Sequence, residues 1–299
     1  MKIVKLKGGL GNQLFQYSFG RMLEVTYGEQ VKYDLHQYKI KFNEINNLKL
    51  NSFNVKMQAA TSEELKECYK IKLDNMPHSF TYRFKIILNK ILSHSQDYFE
   101  RDRKYRDINK IITYSYYDGY WQCEKYFKNI RDILLNELTI EHMSTSTLSQ
   151  IEKIKQENAV FIGIRRPYSF ESNQMKKELN EVGTNMEYYR KAIEYVQKRV
   201  DSPVFYIFSN DIEGVKKNIC INEKCVYRTK EMQTSDEEEL MIMSECKHAI
   251  ISNSTFNWWG AWLIKNENKI VIVPPFWAKN EMDIIPENWI SYEELINDE

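Results

Sequence analysis

Three short polar stretches carry residue types that can hold a diphosphate. Arg165 and Arg166 follow the apolar run Ala159 to Ile164. Ser209, Asn210 and Asp211 follow Val204 to Phe208, and Ser252, Asn253, Ser254 and Thr255 follow Ala249 to Ile251. A guanidinium offers forked donors to phosphate oxygens. Small hydroxyl and amide residues at a helix start add donors to the unpaired backbone N–H groups already there. A fourth stretch, Gly8-Gly9-Leu10-Gly11-Asn12-Gln13, lets the backbone come close to a ligand and places two amides directly after the turn. Each stretch also has a plainer use: arginines pair with surface carboxylates, Ser and Thr cap helices, and glycines make tight turns.

The elements that must position these residues follow from periodicity. Lys2 to Leu6 reads as a strand, the segment from Leu14 to Val25 as a helix, and Gln30 to Leu35 as the next strand, a βαβ opening. The dinucleotide fingerprint is absent, because Gly9-x-Gly11 is followed by Leu14 where a third glycine belongs. Phe80 to Leu92 and Glu100 to Arg106 read as solvated helix and loop. Ile111 to Phe127 sets aromatic faces beside polar groups, a composition shared by sugar sites and by cores, and a helix over Lys125 to Glu137 follows. Ser144 to Thr147 is the expected hinge between lobes 1–145 and 146–299.

Beyond the hinge, strands over Ala159–Ile164, Val204–Phe208, Cys225–Tyr227, Ala249–Ile251 and Lys269–Val273 alternate with helices. One helix spans Met186 to Val200, and another opens with a capping box at Ser235 to Glu238. The alternation predicts a parallel, doubly wound sheet. In such a sheet ligands bind beyond the C-terminal strand ends, so the three polar stretches converge on one edge. Asp211 would then accept from a ribose or a base. A glycine-turn lobe beside a nucleotide lobe is the layout of a nucleotide-sugar transferase.

Composition narrows the alternatives. The chain has 299 residues, with Lys+Arg 42 against Asp+Glu 42, so no global field draws in nucleic acid or an anionic membrane. No apolar run is long enough to cross a bilayer, and no signal peptide is read, which leads to an expectation of a cytoplasmic protein. The cysteines number 5, widely spaced and without a CxxC pair, and the histidines number 5, scattered; neither a disulfide framework nor a Cys/His metal site is expected.

Four longer strings resemble the bacterial α-1,2-fucosyltransferases, glycosyltransferase family 11: Gly8 to Tyr17 (GGLGNQLFQY), Asp118 to Gln122 (DGYWQ) with Glu124 to Phe127, Phe208 to Asp211, and Ile251 to Leu263 (ISNSTFNWWGAWL). The likeness spans nearly the whole chain. It implies an α/β fold of GT-B type, two Rossmann-like lobes with parallel sheets facing across a cleft. It also implies GDP-fucose as donor, a galactose-terminated acceptor of the O-antigen, capsule or H-antigen kind, and no cofactor or metal. No integral membrane segment is expected, and a peripheral contact with a lipid-linked acceptor at the inner face of the membrane is compatible with this.

On that footing Arg165 would neutralise charge on the β-phosphate and Asn12 would orient donor or acceptor. Gly9, Gly11, Arg166, Ser209, Asp211, Asn253, Ser254, Thr255 and Phe256 would bind the donor, and Gln13, Tyr120 and Trp121 the acceptor. Glu171 is the nearest carboxylate after the arginines. One departure stands out. The family pattern HxRRxD is replaced by Gly163-Ile-Arg-Arg-Pro-Tyr168, with Gly163 in place of His and Tyr168 in place of Asp. That change keeps two alternatives open, another nucleotide-sugar donor or a non-catalytic binding relative.

Overall fold

The computed structural model describes residues 1–41, 48–68, 97–165, 186–219, 221, 223–228, 232, 234–277 and 283–297. The chain forms two compact units, Met1–Thr139 and Ile140–Glu299. The segment Phe80 to Leu92 read as helix and loop, Arg166 and Glu171 lie outside the described residues.

In the first unit β1 (Lys2–Lys5) leads through the glycine turn into α1 (Leu10–Tyr27) and then to β2 (Val31–Asp34) and α2 (His36–Lys41). After α3 (Ser62–Cys68) come β3 (Asp97–Phe99), α4 (Ile108–Ile111), β4 (Tyr116–Asp118) and α5 (Arg131–Glu137). The four strands form one parallel sheet, in the order β2-β1-β4-β3. The expected helix from Lys125 is two single 3₁₀ turns, Glu124–Tyr126 and Lys128–Ile130, before α5 begins. The aromatic residues of this stretch are drawn inward and set its path. Tyr116, Tyr117, Trp121, Tyr126 and Phe127 are all buried, and Trp121 stacks flat on Phe19 of α1 at 3.9 Å. Most of the aromatic content here is therefore core.

The second unit contains α6 (Thr145–Lys155), β5 (Asn158–Ile164), α7 (Met186–Gln197), β6 (Pro203–Ser209), α8 (Ile212–Asn218) and β7 (Cys225–Tyr227). It continues with α9 (Asp236–Ser244), β8 (His248–Ile250), α10 (Thr255–Leu263), β9 (Val271–Ile272) and α11 (Tyr292–Asn297). Its sheet is parallel throughout, in the order β7-β6-β5-β8-β9. The central strand β5 is buried over Ala159 to Ile164, as a strand covered on both faces must be. Val160, Ile162 and Ile164 face α7 in one core. On the other side Phe161 meets α10, where a Cβ at Gly260 would lie 3.3 Å from the Phe161 ring.

Ser144 to Thr147, the stretch expected between the lobes, opens α6 inside the second unit. Ser144 caps α6 by accepting from the Thr147 N–H, and the Glu238 carboxylate of α9 receives hydrogen bonds from the Ser144 N–H (2.5 Å) and Oγ (3.1 Å) and from Thr147 Oγ1 (3.0 Å). The expected Ser235–Glu238 box is thus half-formed: Ser235 accepts from the Glu238 N–H, while the Glu238 side chain fastens α6 instead. This ties residue 144 into the second unit, so the division falls before it.

Candidate functional site

Register brings the three polar stretches of the second unit to one edge. Ile164 pairs with Ser209 and Ile162 with Ile250, so Arg165, Asn210 and the turn beginning at Ser252 leave the sheet side by side. Arg165 is exposed there. Two buried tyrosines of α7 brace this edge from below. Tyr188 donates to the carbonyls of Ile251 (2.7 Å) and Ile272 (3.0 Å), and Tyr189 donates to the Gly163 carbonyl (3.3 Å). Periodicity placed Tyr189 on the packed face of its helix, but neither hydroxyl's role was readable from spacing.

The polar turn folds back on itself, with the Ser254 N–H donating to the Ser252 carbonyl at 2.7 Å. Ser254 occupies the N-cap of α10, yet its side chain makes no capping hydrogen bond, and the first turn holds no acidic residue. Thr255 and Phe256 are half-buried, and Asn253 donates weakly to the Trp277 carbonyl at 3.5 Å. The neighbouring helices differ. Ser144, Asp211 and Ser235 each accept a first-turn N–H with their side chains, at the starts of α6, α8 and α9. The start of α10 is therefore where backbone donors and the positive end of the helix dipole are offered outward. The Trp258, Trp259 and Trp262 side chains behind it are buried, with Trp258 and Trp262 stacked, Trp259 edge-on to both, and Trp258 Nε1 donating to the Ile284 carbonyl. They seat the helix.

Ser209 and Asp211 do a local job. Ser209 Oγ accepts from the Asp211 N–H, and Asp211 Oδ1 accepts from the Gly214 N–H at 2.9 Å. Arg228, which follows β7, was missed by sequence reading. It is buried and bonds Gln150 Oε1, the Met232 carbonyl and Thr234 Oγ1, and its burial lowers its pKa.

In the first unit the glycine turn ends β1. Gly8 sits at φ 81, and a Cβ there would also lie 2.7 Å from Asn12 Nδ2, so glycine is required twice over. Gly9 is the N-cap of α1, again without a side-chain cap or a first-turn acid; nothing stands within 4 Å of a Cβ built on it, and Gly11 is buried in the first turn. Asn12 Oδ1 accepts from the buried Gln122 Nε2 at 2.8 Å, which fixes the plane of the Asn12 amide. Gln122 follows Trp121, whose backbone lies at φ 55 and whose ring is fully buried. Around this turn Asp118 receives Lys5 at 2.9 Å and Lys7 at 2.5 Å. Burial alone would raise the Asp118 pKa, but the two ammonium groups hold it below the usual carboxylate range. Glu100 accepts from the Tyr120 N–H at 2.6 Å, and burial raises its pKa.

Two acceptor assignments need correction. Gln13 is fully buried, donating to the Gly8 carbonyl and accepting from the Leu50 N–H, so it holds the turn from behind. Trp121 is fully buried against Phe19 and offers no face to a sugar. Tyr120, the third residue expected at the acceptor, is half-buried, with Lys7 Nζ 4.4 Å and the Arg103 guanidinium 4.6 Å from its ring centroid.

The Glycosyl transferase family 11 model matches residues 1–293. An alpha-1,2-colitosyltransferase of Escherichia coli is 30% identical over 302 residues, covering 97% of this chain and 98% of its own. The O-antigen biosynthesis glycosyltransferase WbnK of Escherichia coli is 28% identical over 312 residues, covering 96% and 98%. Among solved structures, a mutant of Arabidopsis thaliana FUT1 in complex with GDP aligns at 10% identity with a TM-score of 0.47, covering 91% of this chain and 70% of that one. The α/β fold with two all-parallel sheets agrees with the class expected from the sequence. No helix among the described residues is long and apolar enough to cross a membrane.

Proposed function

Since the chain belongs to glycosyl transferase family 11, we propose that it is an inverting transferase moving L-fucose from GDP-fucose to the 2-hydroxyl of a galactose-terminated glycan. The observation that carries the donor half is the uncapped start of α10 beside Arg165. An acceptor hydroxyl attacks the anomeric carbon; the bond to the β-phosphate oxygen breaks, GDP leaves, and the hydroxyl proton passes to a base that we do not assign. Arg165, with Arg166, meets the charge growing on the diphosphate, commonly the dominant electrostatic contribution. Ser254, Thr255, Phe256 and Asn253 hold the diphosphate with their backbone and side-chain donors. Ser209 and Asp211 shape the nucleoside end, Gly9 and Gly11 allow close approach, and Asn12 orients the reacting groups. No metal is assigned a role.

A second reading has its own observation. Gly163 stands where the family pattern has His, and a relative named as a colitosyltransferase aligns along the whole chain. It keeps the reaction and exchanges the sugar, with GDP-colitose as donor. Thermal unfolding with GDP, UDP, dTDP and ADP tests the nucleotide. Ligand at about 100 times its Kd adds about 2.7 kcal/mol to stability. GDP is expected to give the largest shift, and a larger shift with UDP would overturn the donor assignment. Labelled GDP-fucose and GDP-colitose then separate the two readings. Arg165→Ala should lower turnover about a thousandfold with an unchanged Tm; near-wild-type turnover would remove Arg165 from the site.

A further inference from the structure

Gly163 leaves a hole that another residue fills. A Cβ built on Gly163 would lie 2.2 Å from Asn257 Nδ2 and 2.5 Å from Asn257 Cγ, closer than any side chain permits. Asn257 belongs to the first turn of α10 and retains 7% of its exposure. Its Nδ2 donates to Ser252 Oγ at 2.8 Å, and Ser252 is itself fully buried at the base of the polar turn. The carboxamide is thus anchored on its nitrogen side. Its Oδ1 has no hydrogen-bond partner among the described residues. Side chains two apart on a strand project to the same face. The hole at Gly163 therefore lies on the face toward which Arg165 continues, the face covered by α10.

We infer that Asn257 is a specificity-determining residue of the donor site, accepting a hydrogen bond on Oδ1 from a hydroxyl of the transferred sugar, its carboxamide seated where it is because residue 163 lacks a Cβ. This rests on reading the second-unit edge as the donor site. The group supplied here is neutral at every working pH, and it comes from the neighbouring helix instead of from the strand. Residues 163 and 257 then form one unit: enlarging the first displaces the second.

The test compares wild type, Asn257→Ala, Asn257→Ser, Gly163→Ala and Gly163→Ala/Asn257→Ala. Each is assayed for transfer from GDP-fucose and from its 2-, 3- and 4-deoxy analogues, and for thermal stabilisation by GDP alone. A site that hydrogen-bonds a hydroxyl discriminates against the analogue lacking it. Wild type should prefer its best donor over one of the others in this panel, whose 3-deoxy member is GDP-colitose, by at least tenfold in kcat/KM, and both Asn257 variants should reduce that ratio toward one, with the GDP shift intact. Gly163→Ala should lose the same ratio, and the double variant should be no worse than Asn257→Ala. An unchanged ratio in the Asn257 variants, or failure of both to fold, would make the residue structural and overturn the inference. A wild type that transfers from none of these donors and gains nothing from GDP would instead defeat the parent reading, and the inference with it.

Discussion

The two glycosyltransferase motifs open helices in the same way and then part company. Both α1 and α10 follow a parallel strand, and both lack a side-chain cap and a first-turn acid. Around α1 most of the charged and amide groups are engaged with one another, although Gln122 Oε1 and Glu100 Oε1 are buried without a partner among the described residues. Tyr38 and Gln13 both donate to the Gly8 carbonyl, Asn12 is held by Gln122, and Asp118 is neutralised by Lys5 and Lys7. Around α10 the turn is built from small hydroxyl residues with Arg165 exposed beside it, and among the described residues no carboxylate pairs with that guanidinium. Under the proposed function, the edge whose charges pair with one another is the one read for a neutral, hydroxyl-rich ligand, and the edge with spare donors the one read for an anion. An uncapped helix start does not by itself separate the two; what its neighbours have already satisfied does.

The comparison breaks most sharply under a matched pair of substitutions. Asn12→Ala should cut turnover about a hundredfold while leaving the thermal shift by GDP in place. Thr255→Asp adds an acid to the first turn of α10, where the dipole welcomes it by about 0.5 kcal/mol. It should leave ligand-free stability unchanged or slightly higher while weakening GDP binding more than tenfold, read by titration calorimetry. Loss of the GDP shift in Asn12→Ala, or its survival in Thr255→Asp, would reverse the assignment of the two edges.

A second measurement probes the ion pairs of the α1 edge. Asp118→Asn leaves Lys5 and Lys7 facing each other without a carboxylate. Removing one partner of a buried pair costs about 3 kcal/mol, so denaturant unfolding should show a loss of that order. The wild-type contribution has a defined pH dependence. A carboxylate whose pKa is depressed in the folded state stabilises above its unfolded value, and that stability is lost as pH falls through the folded pKa. The difference between Asp118→Asn and wild type should therefore vanish in strong acid.

The smallest effect has the opposite sign. Burial raises Asp97, the first residue of β3, to about 6. Such a group favours folding in its protonated form, so its contribution is complete below the usual carboxylate pKa and is lost as pH rises through 6. Asp97→Asn should stabilise the protein at pH 7.5 by about 1 kcal/mol, allowing for solvent screening, and change nothing at pH 3.5. Equal Tm changes at both pH values would contradict this.

The sheets were legible because parallel strands buried on both faces read as apolar runs, and β5 and β6 emerged close to their expected bounds. The convergence of Arg165 with Ser209 and Ser252 was legible for the same reason, since a parallel sheet places every strand end on one edge. The acceptor residues were not. Composition cannot tell a Trp that stacks on Phe19 from one that stacks on a sugar, and the inward turn at Trp121 depends on a left-handed backbone that no local pattern announces. Nor could spacing show that Glu238 would reach Ser144 and Thr147, because that bond joins residues ninety-four apart. The Gly163–Asn257 pairing was hidden likewise: sequence showed a missing side chain, and packing showed what replaced it.

The placement of the indole rings has an experimental consequence. Of the 6 tryptophans, Trp121 alone lies in the first unit, while Trp258, Trp259, Trp262, Trp277 and Trp289 belong to the second. Intrinsic fluorescence is therefore close to a private signal of the second unit, whereas far-ultraviolet dichroism averages over both. Superimposable denaturation curves from the two probes would mean that the units melt as one cooperative body, and displaced midpoints would give each unit a stability of its own.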